Sequence, residues 1–349
     1  METIYIVAGG TGGHINAAIA MGEEFNNEYK VKYLTGTRYL DYQLFKDLDV
    51  LHLESRPLRT RNILILLKSL FFNLKVFTKI IRLYKKEKPC FVLGAGGYIC
   101  GPTLLAAKII GIPIFIIEQN AVAGMTNRIL SKIAGIIFTN FKNTKKISGN
   151  RNRVVVVGNP IRKSIKESRV EAGEHLNLLV FGGSLGASQI NKAITEYIKN
   201  TPFRKISILH QVGKDHNSVP IDVHSDIEYR QKEYLDNMNE SYAWSDIIIC
   251  RSGASTVSEL RVVQRPAIII PFPNATDNHQ YFNALELKKE DGFFVDIIDQ
   301  KLTGADLSNQ IGKSIENIEK NQLYYKNKIE LKKTTELIKN EILKYVRNK

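Results

Sequence analysis

The sequence predicts an α/β protein of two domains, each built on a parallel sheet. Short apolar runs alternate with amphipathic segments of helix length along the chain, as in parallel sheets with crossover helices. Three of the apolar runs end in a glycine-rich turn, two in the first half and one in the second. A chain of 349 residues also exceeds one ordinary α/β core, so two domains are expected.

Twelve apolar segments are predicted to be strands. In the first half they are residues 3–8, 31–35, 91–94, 113–117, 136–139 and 154–157. In the second half they are residues 177–181, 206–211, 226–230, 246–250, 267–270 and 293–295. The turn at 158–160 separates the two sets. It predicts domains at 1–160 and 161–332, with a C-terminal helix at about 333–349 joined to the first. Two similar halves of this kind predict two Rossmann-like domains that face each other across a cleft at the carboxyl ends of their strands.

The three glycine turns are the first candidate binding sites, and they occupy residues 8–14, 94–98 and 182–188. A strand that runs through a glycine turn into a helix brings backbone N–H groups and a positive helix end to one point, which suits a phosphate. The chain is therefore predicted to bind two phosphorylated ligands, one per half. Ile15 occupies the third glycine position of a dinucleotide fingerprint, which disfavours a nicotinamide dehydrogenase.

Two side chains near these turns are candidates for chemistry. His14 stands at a helix start, where the dipole favours a neutral imidazole and hence a proton acceptor; the alternative is a histidine that only binds a ligand. Thr256 and Glu259 have the spacing of a capping box, which alone predicts a well-capped helix. The functional interpretation places Glu259 on the first helical turn, where its carboxylate accepts from both hydroxyls of a ribose.

The net charge of +14 is concentrated in the first half of the chain. Residues 1–160 hold 22 Lys and Arg against 10 Asp and Glu, whereas the remainder holds 27 against 25. A basic half predicts contact with an anionic surface, either nucleic acid or lipid headgroups. Aromatic residues interleaved with glycine-spaced basic repeats do not occur, so nucleic acid is not an expected partner. The histidines and cysteines show no metal-ligand spacing, and no metal or cofactor is expected.

Residues 56–88 hold ten Lys and Arg and one acid, and they are predicted to form an amphipathic helix. The cations fall on one stripe: Arg61, Lys68, Lys75, Lys79, Arg82 and Lys86. The predicted core face lies opposite: Ile63, Leu66, Leu70, Phe77, Ile81 and Tyr84. Further apolar residues flank the cations: Leu64, Leu67, Phe71, Phe72, Val76 and Leu83.

Charges occur too often in this segment for a helix that spans a membrane. One interpretation is a core helix with a solvated basic face. The preferred one is a helix that rests on an anionic bilayer, with lysines at the headgroups and phenylalanines at the acyl boundary. The predicted membrane contacts are Lys68, Phe71, Phe72, Lys75, Lys79 and Arg82.

A set of ordered motifs spans essentially the whole chain. They are Gly9-Gly10-Thr11-Gly12-Gly13-His14, Gly94-Ala95-Gly96-Gly97-Tyr98, Glu118-Gln119-Asn120, Gly158-Asn159-Pro160-Ile161-Arg162, Gly182-Gly183-Ser184-Leu185-Gly186-Ala187, Cys250-Arg251-Ser252-Gly253-Ala254 and Gln280-Tyr281-Phe282-Asn283-Ala284. Together they resemble the MurG family of bacterial UDP-N-acetylglucosamine transferases, which complete the lipid-linked disaccharide-pentapeptide of peptidoglycan.

The resemblance implies a GT-B fold and an inverting transfer of GlcNAc from UDP-GlcNAc. The implied acceptor is the 4-hydroxyl of muramoyl-pentapeptide-diphosphoryl-undecaprenol, and no tightly bound metal is implied for catalysis. It also implies a peripheral position on the cytoplasmic face of the bacterial cell membrane, with cell-wall synthesis proteins as further partners.

The resemblance also implies roles for matched positions. Around the transferred sugar or the facing phosphates it places Thr11, Gly12, Gly13 and Asn120. On the donor diphosphate it places Arg162 and Ser184, and beside the uracil Leu235, whose backbone reads the base edge. It places the α-phosphate and ribose beside Ala254, Ser255, Thr256, Val257, Ser258 and Glu259. It places the GlcNAc hydroxyls beside Gln280.

Three alternatives remain open. The first is a related membrane-associated lipid glycosyltransferase with another acceptor, such as diacylglycerol. The second is a sugar-nucleotide epimerase of the same fold, which needs catalytic carboxylates. The third is a non-catalytic basic protein that binds a surface such as nucleic acid.

Overall fold

The computed structural model describes residues 1–58, 60–148, 153–161, 165, 175–183, 186–200, 205–214, 225–290, 295–298, 302–319 and 334–348. The chain divides into two compact units. One consists of Met1–Arg162 with Leu331–Lys349, and the other of Lys163–Glu330. Two predicted site residues, Arg162 and Ser184, lie outside the described residues.

Parallel strands alternate with helices in both units. The strands are β1 (Thr3–Ala8), β2 (Lys30–Thr35), β3 (Val50–His52), β4 (Val92–Gly96), β5 (Ile114–Glu118), β6 (Ile136–Thr139), β7 (Val154–Val156), β8 (Leu176–Phe181), β9 (Ile206–Gln211), β10 (Ile227–Lys232), β11 (Ile247–Cys250), β12 (Ala267–Ile269) and β13 (Val295–Ile297). The helices are α1 (Gly12–Phe25), α2 (Tyr39–Leu44), α3 (Ile63–Glu87), α4 (Cys100–Ile109), α5 (Met125–Leu130), α6 (Ser188–Asn200), α7 (Met238–Trp244), α8 (Ala254–Val263), α9 (His279–Lys288), α10 (Gly304–Glu319) and α11 (Thr334–Arg347).

Each unit holds one parallel sheet with the same winding. The strand order is β3-β2-β1-β4-β5-β6-β7 in the first unit and β10-β9-β8-β11-β12-β13 in the second. The predicted α/β class with two parallel sheets is therefore confirmed. β3 is not among the predicted strands, because its apolar run consists only of Val50 and Leu51 before His52 interrupts it.

The core of the first unit includes the C-terminal helix of the chain. Ile338 and Ile342 of α11 are fully buried in the same apolar cluster as Phe25 and Phe115. The ring of Tyr345 meets that of Phe115 edge-on, with 5.3 Å between centroids. The Thr334 hydroxyl also donates to the carbonyl oxygen of Val157, directly after β7, at 2.9 Å. These contacts attach the end of the chain to the first unit.

α3 is anchored along only part of its length. Its buried side chains are Ser69, Val76, Ile80 and Tyr84. The predicted core face is confirmed for Tyr84, which is buried, and for Phe77 and Ile81, which pack against the same apolar cluster as Tyr84. It is wrong for Ile63 and Leu70, which are 70% and 47% exposed. A helical-wheel projection assumes that one face contacts the core throughout. A helix of 25 residues is about 37 Å long, and its large apolar side chains are buried only from Val76 onward, where they join the apolar cluster of Tyr5 and Val92 beside α4.

The first half of α3 instead exposes large apolar side chains. This surface, the α3 patch, comprises Ile63, Leu64, Ile65, Leu67, Leu70, Phe71 and Leu74, each 47–73% exposed. Lys75 places its ammonium 4.4 Å from the centroid of the Phe71 ring. Phe72 is half-buried beneath the Arg56 guanidinium, and Val76, expected on the flank, is buried. Among the described residues, no helix is both long and apolar enough to cross a bilayer.

Candidate active site

The glycine turns lie where each sheet reverses its strand order. In the first unit the chain winds outward from β1 and returns to β4 beside it; in the second it winds outward from β8 and returns to β11. In open parallel sheets, the loops at the carboxyl ends of such neighbouring strands form the ligand-binding crevice. Both units therefore present a candidate site at this position.

The two glycine turns of the first unit interlock. The Gly9 N–H donates to the Gly96 carbonyl oxygen at 3.3 Å. Gly97 has φ of +94°, and a Cβ there would collide with the carbonyl oxygen of Gly9. Only glycine combines a positive φ with the absence of a Cβ at this contact, so the backbones of the two turns pack directly against each other.

His14 is oriented by the turn that precedes it. Thr11 is the extended N-cap of α1, and its side chain makes no cap hydrogen bond, so the first turn of the helix directs backbone N–H groups outward. The His14 Nδ1 lies 3.3 Å from the Gly9 carbonyl oxygen. A carbonyl only accepts, so Nδ1 carries the proton and, in the neutral ring, Nε2 has the lone pair. This tautomer suits a proton acceptor.

A buried carboxylate that sequence reasoning missed supports the first turn. Asp41 of α2 is fully buried and accepts from the Gly10 N–H at 3.1 Å, from the Arg38 N–H at 2.9 Å and from the Thr35 hydroxyl at 3.3 Å. The Arg38 guanidinium donates to the Gly10 carbonyl oxygen at 3.3 Å. Asp41 lies six residues beyond β2, inside a helix, where no local pattern indicates its contact with the first turn.

A second buried carboxylate, Glu118 at the end of β5, positions Asn120. Its oxygens accept from the Asn120 N–H at 2.9 Å, the Asn120 amide at 3.3 Å, the Gly124 N–H at 3.0 Å and the Asn127 amide at 2.9 Å. Burial raises the pKa of Glu118 above its ordinary value, and the donated hydrogen bonds offset part of that rise. The predicted sugar-binding residue Asn120 is therefore held by Glu118, for which the sequence alone predicts no role.

Gln119 joins this loop to the helix start of the first turn. Its amide nitrogen donates to the Ala95 carbonyl oxygen at 3.2 Å and to the Gly13 carbonyl oxygen at 3.4 Å. Residues 11–14 and Asn120 thus belong to one connected assembly at the carboxyl edge of the first sheet.

In the second unit, the described part of the glycine turn packs on the end of β9. The Gly186 N–H donates to the Gly183 carbonyl oxygen at 3.0 Å, closing the turn. Gly186 has φ of +73°, and a Cβ there would collide with the Val212 carbonyl oxygen. The turn is thus fixed by close backbone packing before α6 begins.

The loop that follows β10 is connected to the same turn. Leu235 is buried, and its N–H donates to the Gln211 side-chain oxygen at 3.0 Å. The Gln211 amide nitrogen donates in turn to the Gly183 carbonyl oxygen at 2.8 Å. Gln211 carries no sequence motif that indicates this bridge.

Glu259 is not part of a capping box. α8 begins at Ala254 with Gly253 as its N-cap and no side-chain cap hydrogen bond, so Thr256 lies inside the helix. The expected position of Glu259 on the first turn is wrong as well, because a helix that starts at Ala254 puts it on the second turn. The Tyr242 hydroxyl donates to Glu259 Oε2 at 2.8 Å and fixes the carboxylate. Burial and the Glu259 charge raise the pKa of Tyr242 well above its usual value.

The remaining candidates on α8 contribute mainly to its packing. Val257 is fully buried, and the buried Ser258 donates its hydroxyl to the Ala254 carbonyl oxygen at 3.0 Å. Ser255 and Thr256 are half-buried on the first turn. Contacts to a ligand at this end of α8 therefore fall to its first-turn N–H groups and to Ser255 and Thr256.

Gln280 and Arg251 organise the loop after β12. Gln280, on the first turn of α9, accepts from the Phe272 N–H at 2.9 Å, which orients its side-chain oxygen toward the loop. Arg251, directly after β11, donates to the Ile270 carbonyl oxygen at 2.9 Å and to the Pro271 carbonyl oxygen at 2.8 Å. Burial lowers the pKa of the Arg251 guanidinium. Within the described ranges, no group of three or more His, Cys, Asp or Glu is placed to hold a metal ion.

Two parallel Rossmann-like sheets with glycine turns at their switch points are the architecture of the GT-B fold, which serves enzymes that act on nucleotide sugars. The family models agree with this class. The glycosyltransferase family 28 N-terminal domain matches residues 4–139, and the family 28 C-terminal domain matches residues 177–342. The chain belongs to glycosyltransferase family 28.

Individual relatives share most of the chain. The UDP-N-acetylglucosamine–N-acetylmuramyl-(pentapeptide) pyrophosphoryl-undecaprenol N-acetylglucosamine transferase of Pseudomonas savastanoi pv. phaseolicola is 38% identical over 311 residues, 86% of each chain. The protein of the same name from Myxococcus xanthus is 35% identical over 89% of this chain and 84% of its own. The crystal structure of MurG from Acinetobacter baumannii has a TM-score of 0.74 at 27% identity and covers 97% of this chain and 99% of that one.

More distant structures share the fold alone. The UDP-GlcNAc 2-epimerase of Neisseria meningitidis, bound to UDP-GlcNAc, has a TM-score of 0.65 at 16% identity, covering 98% of this chain and the whole of that one.

Proposed function

We propose that this chain transfers N-acetylglucosamine from UDP-GlcNAc to the 4-hydroxyl of muramoyl-pentapeptide-diphosphoryl-undecaprenol, with inversion at the anomeric carbon. The observation that carries the proposal is the similarity to transferases of that name, which extends over both units and over 86% of each chain. The glycine turns at both switch points support it, because both substrates contain a diphosphate.

In this proposal the first unit binds the acceptor and supplies the base. His14 takes the proton of the acceptor hydroxyl through Nε2, since Nδ1 donates to the Gly9 carbonyl oxygen. Thr11, Gly12 and Gly13 present the first-turn N–H groups of α1 to a phosphate or to the transferred sugar. Asn120 contacts the same substrate from the loop that Glu118 holds.

The second unit binds the donor. The turn at 182–188 and the positive end of α6 stabilise the charge that develops on the leaving UDP, together with Arg162 and Ser184, which lie outside the described residues. The Leu235 backbone reads the uracil. The first turn of α8, with Ala254, Ser255 and Thr256, faces the α-phosphate. Glu259 accepts from the ribose hydroxyls, which pair well with a carboxylate that Tyr242 already orients.

The α3 patch is the proposed membrane contact. Its exposed apolar side chains lie on the same helix as Lys68, Lys75, Lys79 and Arg82. Apolar side chains beside lysines match the boundary between acyl chains and anionic headgroups. The enzyme would then meet its lipid acceptor at a membrane surface as a peripheral protein.

Transfer to defined acceptors tests the function directly. The full chain is incubated with UDP-GlcNAc and either the muramoyl-pentapeptide lipid or diacylglycerol, in detergent and in vesicles, while UDP release and glycosylated lipid are measured. Product with the first acceptor and none with diacylglycerol is expected. Product with diacylglycerol alone would establish the related lipid transferase instead, and no product with either would reject the transferase activity.

A further inference from the structure

A buried glutamine connects two loops of the second unit. Gln211, the last residue of β9, is 5% exposed. Its amide nitrogen donates to the Gly183 carbonyl oxygen at 2.8 Å, and its side-chain oxygen accepts from the Leu235 N–H at 3.0 Å. A carbonyl only accepts and a backbone N–H only donates, so a single orientation of the amide satisfies both partners. One side chain thus joins the glycine turn after β8 to the loop after β10.

The next residue reinforces the same junction. The Val212 N–H donates to the Lys232 carbonyl oxygen at 2.9 Å, and the Val212 carbonyl oxygen accepts from the Asn191 amide at 3.0 Å. That carbonyl also packs directly on Gly186 of the glycine turn. The end of β9 is therefore a fixed point from which both loops take their positions.

The hydrogen bond to Gln211 determines what Leu235 offers a base. Its N–H is already donated to Gln211, so in the proposed donor site the Leu235 carbonyl oxygen is the backbone group assigned to the base edge. Uracil has an N3–H that donates to a carbonyl. Cytosine has a lone pair at N3, which faces the carbonyl unfavourably and leaves both groups unpaired. A correctly placed Leu235 carbonyl therefore selects uracil over cytosine.

We propose that Gln211 is a positioning residue that couples the nucleobase and diphosphate subsites of the donor site. It holds the Leu235 carbonyl where uracil is read and holds the Gly183 turn where the diphosphate binds. The inference rests on the proposed function, in which the second unit binds UDP-GlcNAc. Base selectivity and diphosphate affinity are then set by the two ends of one amide.

Two substitutions separate these ends. Gln211→Met keeps the length of the side chain and removes both hydrogen bonds. Gln211→Glu retains an acceptor for the Leu235 N–H but turns a second oxygen toward the Gly183 carbonyl. Ser207→Ala is the matched control, because Ser207 lies at the opposite end of β9, where its buried hydroxyl accepts from His175 and donates to Glu228.

Affinities of the full-length variants for UDP and CDP are measured by calorimetry, together with the KM for UDP-GlcNAc, kcat and Tm. We expect Gln211→Met to weaken UDP binding about tenfold and to reduce the UDP-to-CDP affinity ratio at least about fivefold, in line with two lost hydrogen bonds. Gln211→Glu should weaken the binding of UDP and of CDP about equally and leave the UDP-to-CDP affinity ratio unchanged. Ser207→Ala should lower Tm and leave both affinities unchanged.

The outcomes distinguish the role of Gln211 from the function itself. A wild type that binds UDP no tighter than CDP contradicts the proposed donor site, whatever the variants do. A selective wild type whose ratio persists in folded Gln211→Met overturns the coupling. If Gln211→Met does not fold, Gln211→Glu tests the coupling. An unchanged UDP affinity in that variant, or loss of its UDP-to-CDP affinity ratio, overturns the coupling.

Discussion

The two switch-point sites are built on the same fold but differ in the side chains that hold their loops. Both use amide and guanidinium groups, and the first adds buried carboxylates. In the first unit, buried carboxylates accept from loop N–H groups, as Asp41 does from Gly10 and Glu118 does from Asn120 and Gly124. In the second unit, amide and guanidinium side chains donate to loop carbonyl oxygens, and Gln211 and Gln280 also accept from a loop N–H. Gln211 donates to Gly183, and Arg251 to Ile270 and Pro271.

This difference bears on what each site binds best. A carboxylate that accepts from loop N–H groups uses donors that a phosphate would otherwise receive, and it adds negative charge nearby. Amide and guanidinium groups that donate to carbonyl oxygens add no negative charge near the ligand. We therefore expect the donor diphosphate to draw more on loop N–H groups than the acceptor diphosphate, which meets loops whose N–H groups are partly donated to carboxylates.

The units differ in surface as well as in site. Of the large apolar side chains that are exposed within the described residues, only Tyr234 and Phe272 belong to the second unit. The first unit carries all the others, including the α3 patch, and 22 of the 49 Lys and Arg fall within residues 1–160 against 10 of the 35 Asp and Glu. The unit proposed to bind the lipid acceptor is thus also the one suited to a membrane surface.

The largest expected effect belongs to the first site. His14→Ala should lower kcat about 10²–10⁴-fold, the usual contribution of a general base, and should remove the acidic limb of the pH–rate profile. UDP binding, a property of the second site, should not change. His52→Ala is the control, since His52 also donates through Nδ1 to a glycine carbonyl, that of Gly36. If instead only the KM for the lipid acceptor rose, His14 would be a binding residue and the base would lie elsewhere.

The next effect isolates the donor site. Glu259→Ala should raise the KM for UDP-GlcNAc about ten- to a hundredfold, as expected for a lost charge-assisted hydrogen bond to the ribose. Vesicle binding and the KM for the acceptor should stay at their wild-type values. Tyr242→Phe, which removes the hydroxyl that orients Glu259, should give a smaller change in the same direction. A normal KM together with a much lower Tm would show that Glu259 serves the fold alone.

Membrane binding tests the comparison of surfaces. Replacing Leu67, Phe71 and Leu74 with serine should weaken binding to anionic vesicles at least about tenfold. The three apolar side chains are exposed in the protein alone, and serine would not gain the free energy that they gain on entering the acyl boundary. Turnover on a short-chain, water-soluble acceptor should not change. The control replaces three exposed apolar residues of the same unit outside the patch, Leu48, Val156 and Leu337. Equal loss of vesicle binding in both variants would exclude α3 as the specific contact.

Sequence patterns predicted the strands and turns well because they depend on local signals. Buried strands show as short apolar runs, and glycine turns are visible directly. β3 was missed because His52 interrupts its apolar run after Val50 and Leu51. The scaffolding side chains were missed for a different reason. Asp41, Gln211 and Arg251 act on backbone groups distant in the sequence, and only the sheet order brings them together. The core face of α3 was misjudged because a projection cannot show where a helix leaves its sheet.

The smallest effect concerns the titratable scaffold of the first site. Burial raises the pKa of Glu118, so the carboxyl takes up a proton as the pH falls toward its ordinary value of 4.5. Its hydrogen bonds to the Asn120 loop then lose their charge, a change of about 1 kcal/mol, and kcat/KM for the acceptor should fall roughly fivefold. UDP affinity should not follow, because the donor is proposed to bind the second unit, whereas Glu118 holds a loop of the first.

Stability should move in the opposite direction. A folded-state pKa above the unfolded value means that the folded protein binds this proton more tightly, so the contribution of Glu118 to the free energy of unfolding rises as the pH falls. Glu118→Gln cannot titrate and provides the reference. We expect the acceptor kcat/KM of this variant to be lower at pH 7 and to keep only the acidic limb that comes from His14. Its free energy of unfolding relative to wild type should decrease on acidification. Parallel pH profiles of the two proteins would show that Glu118 does not control the Asn120 loop.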